Sequence, residues 1–210
     1  MATSLTLEND SSLAQGYIKV NGSTAATLTT SGITGNLTGN VTGDVTGSLT
    51  AGGSLTLSTA QTASGTAVDF TSIPSWAKRI TVMFNGVSTN GVSIPQIQVG
   101  TSSGIIATGY VSDVAAITSA IGSASATSGH ILINTGHSGF SYIGSVVFVK
   151  TGTSNTWVGN GTTAFRGSAG AISMHTSIIN LATTLDRLRL TTVNGTDTFD
   201  AGTINISFEG

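Results

Sequence analysis

The chain has no cysteine among its 210 residues, and only two prolines. Without thiols there can be no disulfides and no thiolate metal centre. Charge is almost as scarce. Only 8% of the residues are Asp, Glu, Lys or Arg, against about 25% in an average soluble protein. The seven Lys and Arg residues are scattered and form no basic cluster, so no nucleic-acid partner is expected. No apolar run approaches the roughly 18 residues of a membrane-spanning helix, so no membrane partner is expected either. The first residues, MATSLTLEND, lack the basic and apolar regions of a secretory signal peptide.

Gly, Ser, Thr and Asn fill the space that charge leaves. With 39% hydrophobic residues the chain still has enough to bury a core, which argues against disorder. Its surface must therefore be built from hydroxyls and amides. Exposed Lys and Arg are few, as suits a protein that works outside the cell. That surface without a secretory signal fits a virion component, made in the host cytoplasm and released in an extracellular particle.

The run Ile33–Thr50 reads ITGNLTGNVTGDVTGSLT. An aliphatic residue returns every four positions, at Ile33, Leu37, Val41, Val45 and Leu49. Odd positions are aliphatic or glycine; even positions are Thr, Asn, Asp or Ser. This alternation predicts extended chain with one apolar face. A helix is disfavoured, because glycine costs about 1 kcal/mol relative to alanine in a helix interior. A lone strand with so thin an apolar face is not stable. Copies wound about a shared axis would be, with the five aliphatic residues on that axis and glycines allowing close backbone approach. The competing reading is a flexible Gly/Thr linker.

Three zones follow: an attachment arm at 1–31, the repeat stalk at 32–65 and a head domain at 66–210. In the arm, Asn21-Gly22 between two alternating segments signals a hairpin. In the head, short β-branched segments are separated by Asn85-Gly86, Asn90-Gly91, Asn160-Gly161 and Asn194-Gly195, all read as turns. Candidate strands include Arg79–Phe84, Thr156–Val158, Asp186–Thr192 and Thr203–Phe208. A short helix is conceivable only within Val111–Ala126 and Ile178–Leu185. The predicted fold is all-β: an elongated, threefold intertwined N-terminal stalk followed by a β-sandwich or jelly-roll head.

Chemistry-bearing constellations are thin. Asp197 and Asp200 could approach each other as a glycosidase pair must, but their sequence context reads as a polar loop. His130, His137 and His175 show no metal-ligand spacing, and no Gly-x-Ser-x-Gly surrounds a plausible strand–helix turn. No catalytic residue, metal or cofactor is expected, and the chain is not read as an enzyme. An exposed aromatic ring can stack on a sugar. His137, Phe140 and Tyr142, in one flexible loop, and Trp157 are therefore candidate ligand contacts; the competing role for them is packing in the core or between subunits.

Three phrases carry a family resemblance. GYIKVNGSTAATLTTSGITGNLTGN at 16–40 resembles stalk segments of bacteriophage tail fibres and other virion appendages. FTSIPSWAKRITVMFNGVSTNG at 70–91 and LDRLRLTTVNGTDTFDAGTINISFE at 185–209 are similar to a head domain of phage tail-fibre-like proteins. The resemblance implies homotrimers with β-sandwich heads, partnered by other virion proteins and by a host-surface glycan, and it implies no catalytic set. Tail fibres usually carry a longer shaft and a tail-attachment domain, neither of which is evident here. A capsid decoration protein is therefore the alternative, and a small depolymerase a weaker one.

Overall fold

The computed structural model describes residues 5–10, 15–20, 23–29 and 32–34, then 55–118, 120–167 and 170–210. The chain divides into two compact units, Met1–Gly47 and Ser48–Gly210. Among the described residues every strand pair is antiparallel and no helix occurs.

The first unit is a four-stranded sheet in sequence order: β1 (Leu5–Asp10), β2 (Gln15–Val20), β3 (Ser23–Thr29) and β4 (Gly32–Thr34). Val20 pairs with Ser23 across the expected hairpin. Ile33, the first of the five axis candidates, lies in β4 opposite Leu28 of the same chain. The first turn of the repeat thus adds a strand to the N-terminal sheet. Leu37, Val41, Val45 and Leu49 lie outside the described residues.

The second unit holds two sheets. The larger has nine strands. Its main path runs β12 (Ile121–Ala126), β11 (Val111–Ile117), β16 (Ala171–Asn180), β15 (Thr156–Arg166), β14 (Ser141–Lys150), β8 (Arg79–Thr89), β18 (Phe199–Glu209) and β5 (Thr56–Leu57). The ninth, β6 (Gln61–Thr62), also pairs with β18. The smaller sheet runs β10 (Gly104–Ile105), β9 (Pro95–Thr101), β17 (Arg187–Thr192) and β7 (Ala67–Phe70), with β13 (His130–Ile131) also on β9. Because β5 and β6 pair with β18 and Ala63 is buried in the core beside them, the second unit takes in residues that the sequence placed in the stalk.

Alternation explains the sandwich-like packing of the two sheets. Ile80, Val82, Phe84, Val146 and Phe148 on the nine-stranded sheet share one core with Ile97, Val99, Leu188 and Leu190 on the other. Each such side chain contributes about 1.5–3 kcal/mol on full burial. The two C-terminal phrases that carry the resemblance meet in both sheets. Leu188 pairs with Phe70, and Ile204 with Phe84. Arg189 adds a bidentate ion pair to Asp69 directly opposite, with both contacts at 2.7 Å.

Several expectations are corrected. Val111–Ala126 is a β-hairpin of β11 and β12 rather than a helix, since its Val, Ile and Ala positions alternate across a sheet. No helix forms over Ile178–Leu185 either; β16 continues to Asn180, and the Leu181 N–H donates to the Asn155 carbonyl. Asn85-Gly86 is a bulge inside the eleven-residue β8, with Gly86 at φ +68°. Asn160-Gly161 is the middle of β15 and not a turn. Asn194-Gly195 does turn the chain, with Gly195 at φ +69°.

Candidate functional site

The aromatic candidates separate by burial. Tyr142 and Trp157 are in the core, 0% and 2% exposed. Their positions in β14 and β15 point inward by strand alternation, so neither ring can meet a ligand; both calls are corrected. The Trp157 indole Nε1 has no hydrogen-bond partner, so its place in the core rests on packing alone. Phe140 is half-buried, with its ring 4.8 Å from Phe165 and 5.0 Å from His137. His137 is exposed, and its Nδ1 accepts the Gly139 N–H at 2.9 Å. Of the four candidates, only His137 is exposed and Phe140 partly so.

The carboxylates expected in a polar loop are engaged there. Asp197 accepts from the Asn194 amide at 2.7 Å and from the Ser93 backbone N–H at 2.8 Å. These two bonds, the Asn194 bond first, hold its carboxyl below the usual range. A general acid needs a raised pKa, so Asp197 is suited to a structural role. Asp200 accepts a hydrogen bond from the Ser88 hydroxyl.

A chain of polar side chains runs between the two sheets. His130 comes from β13 of the smaller sheet; His175, Ser177 and Thr163 come from β16 and β15 of the larger. Ser177 Oγ lies 2.7 Å from His130 Nδ1. His130 Nε2 lies 2.8 Å from His175 Nδ1, and His175 Nε2 lies 2.8 Å from Thr163 Oγ1. Two further bonds tie the sheets together here: Ser173 Oγ donates to the Leu132 carbonyl at 2.6 Å, and the Ile131 N–H donates to Ser112 Oγ at 3.1 Å. A hydrogen-bonded seam thus joins the two sheets beside the apolar core.

Glycines make room for this seam. Gly161 lies opposite His175, and an added Cβ would come within 2.6 Å of its Cε1. A Cβ on Gly159 would meet Phe148, Ser177 and His130 at 2.7–3.0 Å.

Ser177 beside His130 has the spacing of a nucleophile and its base. Both are buried, at 3% and 0% exposure, so no substrate reaches them. Burial first, and then the charge His175 would carry, pushes His130 well below the usual imidazole range. Burial alone lowers His175 to about 4. One added proton could be accommodated by turning a hydroxyl from donor to acceptor. Two could not, since Nε2 of His130 and Nδ1 of His175 would then both carry hydrogens.

The solvent side of the larger sheet carries an open trough of about 560 Å³. Asp113 of β11, Asn160 and Thr162 of β15, and Met174 and Thr176 of β16 line it. Asp113 already accepts the Ser125 hydroxyl at 2.6 Å. No cluster of three or more His, Cys, Asp or Glu side chains suited to a metal ion occurs among the described residues. The one Gly-x-Ser-x-Gly, Gly100–Gly104, closes the β9–β10 hairpin and leads into no helix. No helix among the described residues is long and apolar enough to cross a membrane.

Sequence reading missed the histidine seam, because its members are separated by up to 47 residues. The available signal was glycine at 159 and 161 within an otherwise β-prone run, which instead read as a turn. No protein-family model, curated protein or solved structure matches the chain.

Proposed function

We propose that this chain is a non-enzymatic structural protein of a phage virion. It forms a homotrimeric surface appendage, a short tail fibre with a jelly-roll-type head that contacts a host-surface glycan. The observation that carries this reading is the pairing of the two C-terminal phrases. Residues 70–91 and 185–209, which resemble a tail-fibre head, supply β8 and β18 of one sheet and β17 and the last residue of β7 of the other. A resemblance confined to scattered surface loops would have carried less.

The sealed histidine seam and the engaged Asp197 and Asp200 favour binding over catalysis, and disfavour the depolymerase alternative. The Ile33–Leu49 alternation supplies the reason for a trimer, since a lone strand cannot cover its apolar face. Glycan contact falls to His137 and Phe140, now that Tyr142 and Trp157 are committed to the core.

The test is electron microscopy of purified particles with a label on the C-terminus, together with a count of copies per particle. A tail position with a small multiple of three or six copies supports the fibre. Hundreds of copies on the shell replace it with the decoration reading, in which residues 1–31 grip the capsid.

A further inference from the structure

The outward face of the nine-stranded sheet carries two apolar rows. Strand register places Ile121, Ile117, Ile172, Ala164 and Ile143 in one line across five strands. Six residues along the strands, Val111, Ile178, Val158 and Val149 form a second line across four. Ile121 is 78% exposed and Val111 61%; Ile172, Ile178 and Val149 are also open to solvent. Between the rows lies the trough, with Asp113, Asn160, Thr162, Thr176 and the exposed Met174.

We infer that these two rows are the contact between heads, the isoleucine row of one copy packing on the valine row of the next. The inference rests on the trimer reading and adds the surface that closes it.

Three observations select a second copy of this chain. First, the two rows carry no charged residue, so a partner that is recognised by charge finds no complement here. The partner must itself be apolar and hydroxyl-bearing, and this chain, 8% charged, is such a protein. Second, apolar side chains occupy two opposite borders, and the middle between them mixes Met174 and Ala115 with the polar Asp113, Asn160, Thr162 and Thr176. Face-to-face stacking of two copies would bury the Asp113 and Asn160 side chains, which costs unless each finds a partner. A ring in which each border meets the next copy's opposite border leaves the middle wet and closes without a free edge. Third, the size fits. At about 4.8 Å between strands the isoleucine row is ~19 Å long. Such a contact falls below the ~800 Å² per partner of a stable stand-alone complex, as expected where a shared stalk already holds the copies together.

Charge placement on β16 tests the register, using the full chain in analytical ultracentrifugation. Ile172→Lys and Ile178→Asp should each raise the dissociation constant at least tenfold. The double variant puts Lys opposite Asp at every contact and should recover to within about threefold of the parent. If neither single variant has any effect, the face is not the contact and the inference fails, while the trimer reading stands if the parent sediments as three chains. If the double variant is weaker than both singles, the row-on-row register is overturned. A parent that is dimeric and disrupted by both substitutions supports the face and removes the trimer. A parent monomeric at 100 µM overturns both. Because the chain has no cysteine, a thiol introduced by Ile117→Cys, within the isoleucine row, provides a readout independent of the charged variants. Bulky-maleimide labelling at least tenfold slower than for Ser103→Cys supports the contact, and equal rates overturn it.

Discussion

Gly161 lies directly opposite His175 in the β15–β16 pair, and a methyl group in place of its hydrogen would fall 2.6 Å from the imidazole and 2.4 Å from the Ser145 carbonyl oxygen. The missing side chain at 161 is thus what allows an imidazole to stand between the two sheets.

Gly161→Ala should therefore destabilise the head by about 1–3 kcal/mol, as overpacking does. Thr162→Ala, one residue on and facing solvent, should stay within about 0.5 kcal/mol of the parent. Asn160→Thr should be neutral or stabilising, since residue 160 is mid-strand. Urea denaturation measures all three. A loss of more than 1 kcal/mol for Asn160→Thr would mean that 160–161 is a turn after all.

Acid should weaken the fold through the histidine pair. Both imidazoles are held neutral when folded, and His175 takes a proton only near pH 4. The unfolded chain protonates them near the ordinary value of about 6.5. Between these values the unfolded state binds more protons, so stability rises with pH. It is complete above about pH 6.5 and is lost progressively as pH falls toward 4. His175 alone accounts for about 3 kcal/mol at the low end, at about 1.4 kcal/mol per unit. Denaturation midpoints from pH 7.5 to 5 should fall in the parent and stay flatter in His175→Asn. Parallel curves would show that the pair does not titrate in this way.

The all-β class and the core positions of β8, β17 and β18 were legible in the sequence, because one face of each strand is buried and period-two alternation records that directly. Ile80, Val82 and Phe84 are buried where alternation put them. Two kinds of position were not legible. Asn-Gly is a strong turn signal, yet at 85–86 it makes a bulge and at 160–161 it clears space for a side chain 14 residues away. Local chemistry cannot distinguish these uses, since the decisive neighbours come from other strands. Tyr142 was read as part of a flexible loop and Trp157 as an exposed residue of a short strand, but the alternation of β14 and β15 turns both inward. The outward rows were obscured for the same reason: Ile117 joins Ile121 and Ile172, and Val111 joins Ile178, only once β11 pairs with β12 and β16.

Trp157→Ala should cost about 3–5 kcal/mol, the range for a buried aromatic truncated in a core. Any loss of glycan binding in that variant would follow from unfolding. His137→Ala should leave stability within about 0.5 kcal/mol and is the informative substitution for ligand contact. Thermal melts and glycan-array binding of the assembled protein separate the two effects. Unchanged binding in both His137→Ala and Phe140→Ala would remove this loop as the contact.

Leu37→Asp and Val41→Asp would place like charges around one axis, which is strongly unfavourable. Thr38→Asp, on the opposite face of the alternation, should be far milder. Oligomer dissociation on heating, followed by light scattering, should come well earlier for the first two. Equal transitions for all three would identify the run as a linker.

Native mass spectrometry of the full chain tests the central claim most directly. Self-association through the Ile33–Leu49 run predicts a single species at three times the 21.0 kDa chain mass. A chain that remains at 21.0 kDa across the micromolar range would contradict the account.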